Sequence, residues 1–236
     1  QDLIFPHHEN EIAQSECCTG KPFAKYWLHN GYINVNNTKM SKSLGNFFTV
    51  RDVAEKYGYP VIRFFILSAQ YRSPINFSAE IIEQSKSALE RLWNCLENIG
   101  FYLEKAPDGP QTAEAKARTD ALREKFVSEM DDDLNTAGGV GAIFELVRQA
   151  NDLIGAGASR TDVEYVGNAL TELCELMGLM PEKNSAGDEF IHEIEDAIER
   201  RAAAKKAKNY AEADKIRAEL LEKGVILEDT PKGTKY

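Results

Sequence analysis

The sequence has few cysteines and no long apolar run, and both absences exclude classes of protein. Its four cysteines, Cys17, Cys18, Cys95 and Cys174, are scattered without CxxC spacing, so reduced thiols are expected. No stretch of 18 apolar residues occurs, which argues against a membrane-spanning helix. The polar start of the sequence shows no secretory apolar region. We therefore expect a cytoplasmic protein with no membrane partner.

Basic residues are too few for a general nucleic-acid binder. The chain has 28 Lys and Arg against 38 Asp and Glu, a net charge of −10. The imbalance is local, because residues 191–236 hold 10 of each sign and residues 1–190 hold 18 against 28. Residues 200–217 contain seven basic and two acidic side chains. This basic segment fits either one nucleic-acid contact or a solvated helix face, and charge alone leaves both open.

Apolar periodicity predicts a mainly helical chain of one large domain or two to three small ones. Apolar residues at spacings of three and four predict three long helices that pack on other helices. They are Ile82, Leu89, Leu92, Leu96, Ile99 and Leu103 on the first helix, with Ser85 in the same seam, Ile143, Leu146, Val147, Ala150 and Ile154 on the second, and Val163, Val166, Leu170, Leu173 and Met177 on the third.

The end of the chain has its own pattern. Residues 180–187 predict a linker, and a basic helical pair broken near Asn209 follows. Residues 225–227 and 234–236 flank Thr230-Pro231-Lys232-Gly233, which predicts a terminal β-hairpin.

Shorter signals precede the long helices. Pro6 predicts the start of a helix that runs to about residue 17. Asn30-Gly31, inside the aromatic and branched residues 26–35, predicts a hairpin or a strand followed by a turn.

Two short helices are predicted next. Thr49 and Asp52 resemble a capping box at the start of a helix that ends at Gly58. Pro60 starts another helix, whose apolar residues between 61 and 67 must be buried.

A polar stretch at residues 37–46 contains Lys39-Met40-Ser41-Lys42-Ser43, which we name the lysine loop. Its two ammonium groups supply positive charge, and its serines and backbone N–H groups supply hydrogen bonds. Gly45 supplies the freedom to close over a ligand. This composition is typical of a loop that grips phosphate, whereas the alternative is a solvated loop that happens to hold two lysines.

His7 and Glu11 are four residues apart and share one face of a helix. An imidazole and a carboxylate at that spacing provide two ligands to zinc, although such pairs are more often surface hydrogen bonds. His8 points about a hundred degrees away, and Cys18 lies roughly 16 Å along the axis, so neither joins them.

The lysine loop matches, letter for letter, the signature loop of class I aminoacyl-tRNA synthetases. With residues 5–15, 26–31, 130–136 and 224–234 added, the chain resembles cysteinyl-tRNA synthetases over nearly its whole length. The match covers only the later half of such an enzyme. It implies a mainly α fold: an α/β remnant of a Rossmann-type catalytic domain at residues 1–77, an antiparallel tRNA-binding helical bundle at 78–182 and a small α+β anticodon-recognition domain at 188–236.

The resemblance implies a cysteine–tRNA ligase, which activates cysteine with ATP and Mg²⁺ and transfers it to cysteine tRNA. Lys39, Met40, Ser41, Lys42 and Ser43 then form the ATP loop, with Lys39 and Lys42 catalytic and Lys42 the best candidate for ATP contact. His7 and Glu11 supply two zinc ligands, and two cysteines from the earlier half of the enzyme complete the set. Because that half is absent here, we expect this chain alone to be inactive. A monomer is expected as well.

Two other functions stay open. One is a related ligase that joins cysteine to an amino sugar, against which the long tail argues because a small acceptor needs no RNA-reading domain. The other is a non-catalytic tRNA-binding module. In the tail, Lys205, Lys206 and Lys208 are predicted to hold phosphates, and Tyr236 and residues 230–234 are candidates for base contact.

Overall fold

In a computed structural model of the protein, residues 3–181, 188–206, 209–230 and 233–235 are described, and α-helices account for most of them. The chain divides into two units, residues 1–181 and 182–236. The first unit contains α1 (Glu9–Thr19), β1 (Ile33–Val35), β2 (Thr38–Lys39), α2 (Val50–Tyr57), α3 (Tyr59–Leu67), β3 (Ile75–Phe77), α4 (Ala79–Leu103), α5 (Ala113–Asp131), α6 (Thr136–Ala156) and α7 (Arg160–Met177). The second contains α8 (Asp188–Lys206), α9 (Tyr210–Glu222), β4 (Glu228–Thr230) and β5 (Gly233–Lys235). The mainly helical fold class is confirmed.

Short polar side chains fix where the long helices begin. The residue before each of four long helices accepts a hydrogen bond from a backbone N–H in the first turn. These residues are Ser78 before α4, Thr112 before α5, Asn135 before α6 and Ser159 before α7. These bonds satisfy donors that have no partner inside the helix.

The predicted capping box is present at the start of α2. The Asp52 N–H donates to Thr49 Oγ1 at 3.2 Å, and the Thr49 N–H donates to Asp52 Oδ2 at 2.7 Å. The second bond favours the carboxylate, so the Thr49 backbone lowers the pKa of Asp52. As predicted, α2 ends before Gly58, and the next helix has Pro60 in its first turn.

The main core lies among α4, α5, α6 and α7, which we name the bundle. Every apolar residue predicted on the three helix seams is buried or half-buried in this core. Ser85 is buried among them, and its Oγ donates to the Ile81 carbonyl at 2.9 Å. Val61, Phe64 and Phe65 of α3 join the same core, so α3 and the bundle share one interior. The domain boundaries inferred from sequence stay predictions.

The prediction that all apolar residues between 61 and 67 are buried is wrong for Ile66, which is 46% exposed. Its side chain lines an apolar cavity beside Met40 instead of facing the bundle.

The four cysteines separate into two groups. Cys17 and Cys18 are exposed, whereas Cys95 and Cys174 are buried in the bundle. Burial raises the pKa of the Cys95 thiol to about 11 and that of Cys174 to about 12, because a thiolate loses its hydration there. Both therefore act as small apolar core residues.

A three-stranded sheet in the order β2-β1-β3 carries the lysine loop. β1 pairs antiparallel with β2 and parallel with β3, with Asn34 opposite Lys39 on one side and Asn76 on the other.

The predicted turn at Asn30-Gly31 is wrong. The Gly31 N–H donates to the Tyr71 carbonyl at 2.7 Å, so this segment passes alongside the chain that leads into β3. A Cβ at Gly31 would lie 2.3 Å from the Ser73 carbonyl oxygen, which explains the glycine by close backbone approach.

The second unit contains the predicted basic helical pair, whose break is capped by Asn209, the acceptor of a hydrogen bond from the Glu212 N–H. Arg201 is only 3% exposed, which removes it from any exposed basic surface. The terminal strands pair antiparallel, with Asp229 opposite Thr234. The first strand starts at Glu228, three residues later than predicted, and Leu227 before it packs into the unit's apolar cluster. Lys208, Tyr236 and residues 231–232 lie outside the described residues.

Among the helices that the structure describes, none combines the length and hydropathy needed to cross a membrane.

Candidate nucleotide and metal site

A tight hairpin turn presents the lysine loop at the edge of the small sheet. Asn36 and Asn37 both have positive φ, 49° and 61°, a conformation that asparagine adopts more readily than most residues. The Asn36 N–H donates to the Phe77 carbonyl at 3.0 Å, and the Asn37 N–H donates to Asn76 Oδ1 at 2.6 Å. The turn is therefore fixed to β3, and β2 delivers Lys39 directly into the loop.

Asn46 closes the lysine loop. Its Oδ1 accepts from the Ser41 N–H at 2.9 Å, and its Nδ2 donates to the Lys39 carbonyl at 3.2 Å. One side chain thus joins the two arms of the loop. The sequence prediction gave Asn46 no role, although an asparagine directly after a glycine is a turn signal.

A single helical turn at Lys42–Leu44 forms the tip of the loop. Ser41 Oγ accepts from the Leu44 N–H at 3.3 Å and lies 3.1 Å from Ser43 Oγ. Gly45 follows with φ of 67°, where its N–H donates to the Lys42 carbonyl at 3.2 Å. The left-handed glycine lets the chain reverse directly after the serines.

The charged side chains of the loop are exposed, whereas its methionine is half-buried. Lys39 and Lys42 are exposed, and Lys42 Nζ lies 5.4 Å from the centre of the Phe47 ring. Met40 is half-buried and lines the apolar cavity of about 160 Å³ together with Phe48 and Ile66. Met40 therefore anchors the loop, and both lysine side chains extend to the surface.

His7 lies in the turn that precedes α1 and Glu11 lies in the first turn of that helix, so the helix begins later than the sequence predicts. Residues Ile4–His8 form a wider π-type turn in which Phe5 has extended backbone angles, and regular α-helix starts at Glu9. Both side chains are exposed, and neither forms a hydrogen bond or ion pair with another described residue. A nitrogen and a carboxylate oxygen fit two positions of a tetrahedral zinc site. Within the described ranges no group of three or more metal-ligating side chains occurs.

His8 faces a different neighbour from His7. Its Nδ1 lies 3.0 Å from His29 Nε2, a hydrogen bond whose donor depends on the tautomers. His29 stacks on Trp27 with ring centres 6.1 Å apart and planes 9° apart. This cluster ties the start of α1 to the segment before β1.

Comparison with known proteins identifies the family to which the chain belongs. Residues 1–87 match the catalytic domain of class I tRNA synthetases of the cysteine type, residues 125–181 match a DALR domain, and residues 188–236 match the cysteinyl-tRNA ligase anticodon-binding domain. The cysteine–tRNA ligase of Caldicellulosiruptor saccharolyticus is 49% identical over the whole chain and half of its own length. That of Lachnoclostridium phytofermentans is 50% identical over the whole chain and 52% of its own length. The chain belongs to the cysteinyl-tRNA synthetase family. It spans about half the length of these curated relatives.

Two solved structures share the family's wider fold. The agnB2 LeuRS of Agrobacterium radiobacter K84, in a complex with tRNA and LeuAMS, superposes with a TM-score of 0.60 over 75% of this chain and 26% of its own. The methionyl-tRNA synthetase of Mycobacterium tuberculosis gives 0.54 over 75% of this chain and 38% of its own. Both are 20% identical to this chain, so the likeness concerns the fold alone.

Residues 130–136, one of the segments that carry the family resemblance, connect α5 to α6 and contact the loop before β3. Tyr71 Oη donates to Asp133 Oδ1 at 2.9 Å, and Arg72 Nε lies 2.8 Å from Asp133 Oδ2. Asp133 and Leu134 both have φ of 54°, an uncommon conformation for residues other than glycine. This corner fixes the α5–α6 connection against the segment that leads to the small sheet.

Replacing Asn46 with alanine is expected to loosen the lysine loop without unfolding the bundle. The change removes both bonds across the loop, each contributing about 0.5–1.5 kcal/mol. Hydrogen exchange at the Ser41 amide should speed up by roughly 2- to 12-fold, the equivalent of losing one such bond. Asn76→Ala, which alters the neighbouring hairpin turn, is the control and should leave Ser41 exchange unchanged. Equal Ser41 exchange in wild type and Asn46→Ala would show that Asn46 does not close the loop.

Proposed function

We propose that this chain is the part of a cysteine–tRNA ligase that grips ATP, supplies two zinc ligands and binds the anticodon end of cysteine tRNA. The observation that carries the proposal is the lysine loop. The loop carries two exposed lysines, and its backbone is held by Met40 in an apolar cavity and by Asn46 across the loop. The 49–50% identity to cysteine–tRNA ligases over the whole chain supports the substrate assignment.

In the first reaction the carboxylate of cysteine attacks the α-phosphorus of ATP, and pyrophosphate leaves as cysteinyl adenylate forms. Negative charge grows on the leaving pyrophosphate, and a positioned ammonium group stabilises the transition state most at that point. Lys42, at the tip of the loop, is proposed to move from the Phe47 ring to the pyrophosphate. Lys39 is proposed to hold the phosphates from the end of β2.

His7 and Glu11 are proposed to supply one nitrogen and one oxygen ligand to zinc, with cysteines from elsewhere in the ligase as the other two. When bound, zinc supplies an ion that favours a soft thiolate over an alcohol, the difference between cysteine and serine.

The second unit is proposed to read the anticodon. Three observations support this: the match of residues 188–236 to an anticodon-binding domain, the basic segment at 200–217, and the division of the chain at residue 181. Lys206 is exposed on α8 and is proposed to hold a phosphate, whereas the buried Arg201 is not. The presence of such a unit favours a ligase that transfers cysteine to tRNA over one that transfers it to an amino sugar.

The test is binding of the chain to cysteine tRNA and to a copy with a changed anticodon, measured by filter retention. We expect the changed anticodon to weaken binding by roughly 5- to 150-fold, the effect of losing stacking with one base. Deleting residues 188–236 should weaken binding to cysteine tRNA and abolish the preference, while circular dichroism shows the first unit still folded. Equal affinity for both RNAs, unaltered by the deletion, would contradict anticodon recognition by this unit.

A further inference from the structure

The side chain that anchors the lysine loop is itself chemically reactive. Met40 is half-buried and lines the apolar cavity of about 160 Å³. The other residues that line this cavity all have apolar side chains: Ile33, Phe48, Val50, Val53, Ile62, Phe65, Ile66, Phe77 and Ile82. Methionine is the oxidation-prone member of this set, because its thioether is readily converted into a polar sulfoxide. The position of the loop therefore depends on the chemical state of one sulfur atom.

The cavity that holds Met40 reaches the surface. Val50 and Ile66, which line it, are 60% and 46% exposed, whereas Phe65 and Ile82 form a buried end. Hydrogen peroxide is only slightly larger than water, and one water molecule takes up about 30 Å³ in the liquid. A peroxide molecule can therefore reach the Met40 side chain without unfolding of the bundle.

The other three methionines lie away from the lysine loop. Met177 is buried in the bundle, and Met130 and Met180 are half-buried against the same core. None of the three lines the cavity. They provide internal comparisons, one more buried than Met40 and two in the same class of burial.

We propose that Met40 is a peroxide-sensitive modification site whose oxidation to the sulfoxide releases the lysine loop. The sulfur lone pair attacks one oxygen of hydrogen peroxide, and an S–O bond forms as the O–O bond breaks. The transferred hydroxyl gives its proton to the departing hydroxide, which leaves as water. The sulfur is thereby oxidised by two electrons and the peroxide is reduced by two.

The sulfoxide does not fit the cavity that accepts the thioether. Its oxygen is a hydrogen-bond acceptor, and none of the side chains that line the cavity carries a donor. The oxidised side chain is therefore expected to leave the cavity for water. The bonds of Asn46 to Ser41 and Lys39 are local, and local bonds near the surface open more often once the apolar anchor is lost.

Release of the loop would weaken the grip on phosphate, and this consequence rests on the proposed function. The release itself does not, because it follows from the contacts of Met40 alone. The modification is reversible, since methionine sulfoxide reductases restore the thioether with electrons from a dithiol. The lysine loop is thus expected to respond to peroxide and to recover from it.

The test treats the 236-residue chain with hydrogen peroxide and then with dithiothreitol. The second reagent reverses sulfenic acids and disulfides at the exposed Cys17 and Cys18 but leaves methionine sulfoxide in place. Peptide mass spectrometry then measures the sulfoxide at each methionine. We expect Met40 to be oxidised faster than the buried Met177.

Hydrogen exchange at the Ser41 amide reports release of the loop, because this amide donates to Asn46. In the oxidised chain it should speed up by roughly 5- to 150-fold, the effect of burying one polar group without a partner. The Ala115 amide, bonded to Thr112 at the start of α5, should be unchanged. Treatment with methionine sulfoxide reductases should return Ser41 to slow exchange.

Three variants identify the sulfur that is responsible. Met40→Leu keeps an apolar side chain of similar volume, so Ser41 should exchange at the wild-type rate before and after peroxide. Met40→Gln introduces a polar side chain of similar length and should give fast Ser41 exchange without peroxide. Met130→Leu removes a half-buried methionine outside the cavity and should respond to peroxide as the wild type does.

Three results would overturn the inference. Slower oxidation of Met40 than of Met177 would show that peroxide does not reach the cavity. Complete sulfoxide formation at Met40 with unchanged Ser41 exchange would show that the loop does not depend on this anchor. An equal response to peroxide in Met40→Leu would place the effect on another residue.

A separate measurement distinguishes this inference from the proposed function. In an active ligase that contains this chain, peroxide should lower ATP–pyrophosphate exchange more in the wild type than in Met40→Leu, since both hold the same cysteines. Fast Ser41 exchange in the oxidised chain together with equal losses in the two ligases would support the modification and count against ATP binding by the loop.

Discussion

Replacing Lys42 with alanine in an active ligase that contains this chain is expected to slow adenylate formation by roughly 10²–10³, the effect of losing one preorganised charge-stabilising group. Lys42 lies at the tip of the lysine loop, and its side chain is exposed to solvent. Its charge is needed most when pyrophosphate departs, so kcat for ATP–pyrophosphate exchange should fall more than KM for ATP rises. Cysteine affinity should change little, because the proposed zinc ligands belong to another segment.

Two further variants identify the cause of that loss. Lys42→Arg keeps the positive charge and should retain more exchange activity than Lys42→Ala. Lys86→Ala removes a half-exposed lysine of α4, which pairs with Glu90, and should leave exchange unchanged. Wild-type exchange rates in Lys42→Ala would show that this ammonium group does not stabilise the leaving group.

Strong local signals made part of the fold predictable. The seams of α4, α6 and α7 are formed by large apolar residues at helical spacing, which can be buried only on one face. Thr49 with Asp52, and Pro60 one residue after the start of α3, determine helix starts through backbone hydrogen bonds that need no tertiary context.

The sequence prediction missed α5 because its buried face is small and partly polar. Its buried residues are Ala115, Thr119, Leu122 and Phe126, so only two of the four are large and apolar. Thr119 is buried with its hydroxyl donating to the Ala115 carbonyl at 2.9 Å, a bond between side chain and backbone that hydropathy does not reveal. Tertiary packing on α6 and α7, not local pattern, gives this helix its buried face.

The sheet and the details of the site depended on long-range contacts. β3 is three residues long and forms its parallel pairing with β1, about 40 residues earlier in sequence. The hairpin turn lies at Asn36 and Asn37, whereas Asn30-Gly31 has the stronger turn composition but packs against Ser73. The residue types of the lysine loop were recognisable, but the roles of Met40 and Asn46 as its anchors emerge only from the folded contacts.

Replacing His7 and Glu11 together with alanine is expected to remove the zinc from an active ligase that contains this chain. Two of four ligands would be lost, so zinc affinity should fall by at least about 100-fold, more than the loss caused by a partner in the outer shell. Elemental analysis should show about one zinc per molecule in wild type and far less in the double variant. Cysteine affinity should fall with the zinc. Unfolding would not be the cause of that fall, because both substituted side chains are exposed and no packing is lost.

The matched control is His8→Ala with Glu9→Ala, which removes the same two chemical groups from the adjacent positions of the same turn. His8 contacts His29 and is not among the proposed ligands, so this variant should keep its zinc even if the start of α1 shifts. The 236-residue chain by itself holds only two of the proposed ligands, so it should retain much less than one zinc. Full zinc content in the His7 and Glu11 double variant would place the metal on other residues, and loss of zinc in both variants would indicate that the shape of the turn, not its ligands, is what matters.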